Sequence, residues 1–226
     1  MIMAQLRIRT MASFKRTLLL VLIGVPILLI GISRIYLGLH DLQDVLAGWI
    51  FGAVMLWLFL HFEKPIAKWM KKHSVGMQVL FVFLFSVGLI LLVILARISL
   101  GGWNIPSEWI QNAHQAFPDE PAITPLSLHN VLSAPGAFFG LAAGWIWITS
   151  RGGFTVQGEW WKLILRYFTG LIGVLILYVG LGSIFPETET LIAYILRYIR
   201  YALIGFWMSG FAPWLFVKIK LANHLK

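Results

Sequence analysis

Six uncharged, strongly apolar runs occupy nearly half of this chain, at residues 18–32, 45–60, 75–96, 131–149, 171–185 and 202–217. A helix needs about 20 mostly apolar residues to cross a hydrocarbon core about 30 Å thick, and each run approaches that length once its flanks are added. In lipid the backbone must satisfy its own amides within the segment, which leaves helices as the solution for runs of this kind. The spans are placed at 17–38, 42–61, 76–98, 131–149, 160–184 and 190–217. With 59% of its 226 residues hydrophobic and 12% charged, the chain lacks the polar groups to cover a soluble domain of this size. The fold class that follows is all-α: a polytopic helical membrane protein with about six transmembrane helices.

The formal net charge is +9, and its distribution carries more information than its size. Arg7, Arg9, Lys15 and Arg16 precede the first span, and Lys64, Lys68, Lys71 and Lys72 follow the second. Arg151 and Lys162 flank the connection after the fourth, and Lys218, Lys220 and Lys226 close the chain. The alternate connections hold Asp41, Asp44, Glu108, Asp119, Glu120, Glu187 and Glu189, with Arg34 and Arg97 as their basic residues. The positive-inside bias then puts both termini in the cytoplasm of a multi-pass plasma membrane, of bacterial inner-membrane type. The 33–44 segment faces outward. No basic face with interleaved aromatics lies outside the spans, so nucleic acid is not an expected partner. Cysteine is absent, which excludes disulfides and thiolate metal sites. The first apolar run has no small-residue cleavage site and reads as a span, not a signal peptide.

Between residues 97 and 130 lies the one long connection. Its "SEWIQNAHQAF" places Ser107 as an N-cap, Glu108 in the first turn, and Trp109, Ile110, Ala113 and Phe117 on one face, the pattern of a short helix on the outer membrane surface. "FPDEPAITP" after it is too rich in proline for regular structure. Pro26 is expected to bend the first span. Gly136, Gly140 and Gly144, at four-residue spacing, form a ridge without side chains against which another helix can pack closely. "RYFTGLIG" at 166–173 is echoed faintly by "RYALIGFW" at 200–207.

Polar residues crowd between the first two apolar runs in "SRIYLGLHDLQDVLAGW", residues 33–49. If the second span starts near His40, then His40 and Asp44 lie one helical turn apart on one face. A carboxylate there can accept the N–H of one ring nitrogen, fixing the tautomer and leaving the other as a nucleophile or base. Arg34 ends the preceding span and offers a planar, permanently charged fork suited to phosphate oxygens. The three make half of a phosphoryl-transfer site. Taken singly, each residue also has a plainer reading: a snorkelling arginine, or a His–Asp pair at a helix start.

The spacing "SR", five residues, "H", three residues, "D" resembles the third signature of the type-2 phosphatidic acid phosphatase superfamily, which also contains the vanadium haloperoxidases. Tyr36, Gly38 and the Gly48 region match the family's usual wording as well. The resemblance covers residues 1–62 and implies that they are the last two helices of the family core, with "LRIRTMASFKR" as the link into them. Residues 63–226 would be an accessory four-helix membrane region similar to extensions on some bacterial members.

By the resemblance, His40 is the nucleophile that forms a phosphohistidine, Asp44 orients it and balances its charge, and Arg34 holds phosphoryl oxygens. Ser33 has a supporting place. The activity implied is metal-independent hydrolysis of lipid phosphates or prenyl diphosphates, with no cofactor and with membrane lipids as the surroundings. "HDLQD" departs from the family pattern, which commonly has an aromatic or small residue and a proline after the His, so Asp41 adds a charge beside the site.

The family's two earlier signatures, a Lys with an Arg-Pro pair six residues on and then Pro-Ser-Gly-His, do not occur here. The simplest expectation is a chain that begins inside a longer protein. The alternatives are a half-sized protein that has lost catalysis and binds or moves anionic lipids, or a subunit completed by a complementing chain or a homo-oligomer. His114 and His129, on the outward connection, are candidate replacement acids, although loop histidines are more often bystanders. Arg197 and Arg200 fall inside the last span, three residues apart. Intramembrane arginines face a bundle interior or a wet cavity, so the pair is read either as a pocket for an anionic lipid headgroup or as partners of backbone carbonyls, Glu187 or Glu189.

Overall fold

The computed structural model describes residues 13–116, 118, 127–186 and 188–225. Arg7, Arg9, Phe117, Asp119, Glu120, Glu187, Lys226 and most of the "FPDEPAITP" segment lie outside them. The described residues are helical, with no strand among them, and the protein is an all-α polytopic membrane protein. Among the described residues, five helices are long and apolar enough to cross a membrane. Their surfaces carry exposed Leu, Ile, Val, Phe and Trp along most of their length, as lipid-facing helices must.

The chain divides into two compact units, 1–69 and 70–226. In the first, α1 (Ser13–Tyr36) runs unbroken through Pro26, and α2 (Leu42–Met70) continues through the basic link that was expected to end it. The two helices touch where α1 has no side chain. A Cβ on Gly31 would overlap the Trp49 ring and lie 2.9 Å from Cγ1 of Val45.

The turn between them is built by the sequence "LGLH". Gly38 takes φ +66°, a left-handed conformation that costs glycine nothing. Its N–H donates to the Ile35 carbonyl at 3.0 Å, and the Leu39 N–H donates to that of Arg34 at 3.0 Å. This is the paired hydrogen-bond closure that satisfies the last carbonyls of a helix.

The second unit begins with α3 (Val75–Ser99), capped by Ser74, whose hydroxyl accepts the Met77 N–H at 3.4 Å. The short surface helix forms as α4 (Ser107–Ala116), with no buried residue. Ser107 is its first helical residue, not its cap. A single turn, α5 (Leu128–Val131), leads into α6 (Ser133–Ser150). α7 (Trp160–Ile184) and α8 (Leu191–Lys218) follow, each interrupted by one widened π-turn, at Ile176–Gly180 and Trp207–Phe211.

The segment expected as the fourth span, 131–149, is α6, which is not among the five membrane-length helices. It packs at the buried centre of the unit. A Cβ on Gly136 would lie 2.6 Å from the Tyr198 carbonyl oxygen, one on Gly140 would overlap that of Ala202, and one on Gly144 would meet the Ser209 hydroxyl and, at 2.9 Å, the Gly210 amide. The glycine ridge is therefore the seat of α8. Ser86 of α3, fully buried, donates to the Pro135 carbonyl at 2.8 Å and shares a 2.9 Å hydrogen bond with the Tyr198 hydroxyl, tying α3, α6 and α8 together.

Arg166 of α7 is only 8% exposed. Its Nε donates to the Leu221 carbonyl at 2.9 Å, and Nη1 donates to those of Thr155 and Val156 at 3.2 and 3.0 Å. A guanidinium with five donors in a fixed fork can hold several carbonyls at once. It fastens the tail after α8 to the loop before α7.

Candidate active site

α2 starts at Leu42, so His40 is not inside the helix but in the turn before it. Asp41 precedes the first helical residue, and its carbonyl accepts the Val45 N–H at 3.3 Å. Asp44, three residues later, accepts the Asp41 N–H through Oδ2 at 3.4 Å. That is the return half of a capping box, in which a side chain in the first turn satisfies an orphan amide at the helix start. Its negative charge also sits at the favourable end of the helix dipole.

The same Oδ2 lies 3.6 Å from Nδ1 of His40, with the two side chains 50% and 64% exposed. This is ion-pair distance, longer than a hydrogen bond. Geometry of this kind commonly tightens only when substrate is bound. The pair uses Nδ1 and leaves Nε2 facing away from Asp44. The His40 backbone is held from the other side: its N–H points at the Arg34 carbonyl at 3.4 Å. Arg34 thus positions His40 through its main chain.

An open groove of about 360 Å³ adjoins the pair. Ile27, Ile30 and Gly31 of α1 and Val45, Gly48 and Trp49 of α2 line it, and His40 and Asp44 supply its polar part. The missing side chain at Gly31 admits the Trp49 ring as a wall. The groove was not read from the sequence, although Trp49 and Gly48 belong to the matching stretch.

The other candidates are placed as follows. The Arg34 side chain is exposed and does not line the groove, and among the described residues nothing pairs with it. Ser33 turns its hydroxyl onto its own helix, donating to the Ile30 carbonyl at 2.8 Å. The Asp41 side chain is exposed. His114 is exposed on α4 and His129 is partly buried, its ring 6.5 Å from that of Tyr194; both belong to the second unit.

Arg197 and Arg200 turn to different neighbours. Nε of Arg197 donates to the Ser133 hydroxyl of α6 at 3.2 Å, and its guanidinium lies 5.6 Å from the Tyr201 ring. Arg200 is only 8% exposed and donates to the Tyr178 carbonyl in the π-turn of α7 at 2.7 Å. It also lies over the Tyr178 ring at 4.6 Å. Gly182 has no side chain where that guanidinium sits, since a Cβ there would lie 2.9 Å from its Cζ.

A sequence model of the PAP2 superfamily matches residues 1–68, and one described as PAP2 superfamily phosphatase, transmembrane extension, matches residues 132–224. Phosphatidylglycerophosphatase B of Bacillus subtilis (strain 168) is 35% identical over 60 residues, which are 26% of this chain and 30% of that protein. The chain therefore spans less than a third of that relative's length. No solved structure matches. The two family matches together take in well over half of the residues, and they carry the conclusion that this chain belongs to the PAP2 superfamily of membrane phosphatases.

Proposed function

We propose that the chain carries the nucleophile half of an outward-facing phosphatase acting on lipid phosphates or prenyl diphosphates. In this reading residues 1–62 are the last two core helices and 63–226 an accessory membrane region. The observation that carries it is the His40–Asp44 pair beside an apolar groove. The groove suits the first methylenes of a lipid tail, and the pair suits the phosphate that ends it.

Nε2 of His40 attacks phosphorus while the bond from phosphorus to the lipid or diphosphate oxygen breaks. Asp44 balances the imidazolium that forms, and the Arg34 fork takes phosphoryl oxygens. Water then hydrolyses the phosphohistidine, returning neutral His40 and inorganic phosphate. The leaving oxygen takes a proton from a general acid, which with the phosphate cradle comes from an upstream segment of a longer protein, from a complementing chain or from a second copy of this one. The relative's name, a phosphatidylglycerophosphatase, supports a phosphate monoester on a glycerolipid as substrate.

The test is phosphate release from phosphatidic acid and from a prenyl diphosphate by the chain in lipid, beside its His40→Ala variant, with radiolabelled substrate to trap label on histidine. Release or label lost in the variant supports the reading. Equal release by both overturns it.

A further inference from the structure

Two hollows in the second unit meet at a single side chain. A polar one of about 180 Å³ lies at the start of α7, with Lys162, Arg166 and Lys220 in its wall and Glu159 as its carboxylate. An apolar one of about 510 Å³ runs along α7 and α8, from Leu163 past Gly170 to Val174. Arg166 lines both.

The polar hollow is built for an anion. Three cationic side chains face one carboxylate. That carboxylate is 62% exposed and meets Lys162 at 3.6 Å. The Glu159 side chain makes no capping bond to the start of α7, so it leaves the first-turn amides, with their positive partial charge, to another acceptor. Arg166 cannot swing away, because three carbonyls hold it. Trp160, Trp161 and Tyr167 are exposed around the same end, the residue types that settle at headgroup depth.

The apolar hollow extends the site into the membrane. From Leu163 to Val174 a helix rises about 16 Å, close to half of a hydrocarbon core about 30 Å thick. A free phosphate would use only the first hollow; a phospholipid would use both.

We propose that the joined hollows bind one anionic phospholipid, its phosphate between Lys162 and Lys220 at the start of α7 and an acyl chain along the groove beside Gly170. The site is independent of the reading of His40.

Two variants separate the halves. Lys162→Ala with Lys220→Asn removes the mobile charges; asparagine suits position 220, where the backbone holds φ +59° and Asn is tolerated. Gly170→Leu fills the groove, since a Cβ there meets nothing nearer than Cζ of Phe216 at 3.9 Å. The 226-residue chain is purified in maltoside and exposed to equal dioleoyl phosphatidylglycerol and dioleoyl phosphatidylcholine. Retained lipid is counted by native mass spectrometry, inorganic phosphate binding is measured separately, and melting temperature reports folding.

Phosphatidylglycerol is retained in preference, and the lysine variant weakens it about thirtyfold, the worth of two lysines at an anionic lipid surface. Gly170→Leu weakens it too, with phosphate binding unchanged. Equal retention of the two lipids, or undiminished phosphatidylglycerol in both variants, overturns the proposal. Loss in the lysine variant alone, with phosphate binding lost alongside, identifies a free-phosphate site and overturns the lipid assignment. A variant that fails to fold leaves the other to decide.

Discussion

Asp44 serves two partners with one oxygen. Oδ2 accepts the Asp41 amide at 3.4 Å and faces Nδ1 of His40 at 3.6 Å. The first contact is a helix cap that any chain could use; the second is what a phosphohistidine mechanism needs. Substitution separates them. Asp44→Asn keeps an acceptor for the amide and removes the charge, so α2 should start normally. If His40 works as proposed, phosphate release in the assembled enzyme should then fall by roughly a hundredfold or more, the scale of losing an oriented acid–base partner. Asp44→Ala should lose the cap as well, at about 0.5–1 kcal/mol. Release by Asp44→Asn equal to that of the unsubstituted chain, with helicity and melting also equal, would reduce Asp44 to a cap.

Among the elements, α6 and α8 depend on each other through contact without side chains. The ridge of Gly136, Gly140 and Gly144 lies against the backbone of α8 at Tyr198, Ala202 and Gly210, and Gly205 lies back against α6. Close approach of this kind stabilises helix pairs in lipid, where the hydrophobic effect offers no drive between them. Ser209 of α8 adds a hydrogen bond to the Leu141 carbonyl at 2.7 Å. Gly140→Leu should force the helices apart, at a cost of about 1–3 kcal/mol or more from overpacking. The measurement is the thermal midpoint of the purified chain, compared with Gly24→Leu, where a Cβ meets nothing within 4 Å. A midpoint in Gly140→Leu no lower than in the control would mean that the ridge is not a packing surface.

At the scale of the whole molecule, the number of crossings depends on α6. Its 18 residues rise about 27 Å at 1.5 Å each, just short of a hydrocarbon core about 30 Å thick. The charges favour a crossing: Arg151, Lys162 and Lys220 reach the side of Lys64–Lys72 only if α6 spans the membrane. The chain has no cysteine, so single introduced cysteines report cleanly. Lys72→Cys and Asn223→Cys should react with an impermeant maleimide from the same side of the membrane, and Leu39→Cys from the opposite side. Labelling of Lys72→Cys and Asn223→Cys from opposite sides would mean that α6 lies within the bundle without crossing.

Membrane class, helix positions and the His40–Asp44 motif were legible because each rests on local rules: apolar length and a fixed spacing. The glycine ridge was legible for the same reason, since a missing side chain has direct steric consequences. Other features depended on which elements become neighbours. Nothing in "RYFTGLIG" says that Arg166 will bind the carbonyl of Leu221, 55 residues away. Nothing in the spacing of Arg197 and Arg200 says that one will reach α6 and the other α7. A buried guanidinium takes whatever carbonyls the packing brings to it. The sequence by itself determined that this is a helical membrane protein with a His–Asp pair at a helix start. Tertiary structure alone decided where its buried charges are satisfied and which hollows they line, because those energies exist only between residues that the fold has brought together.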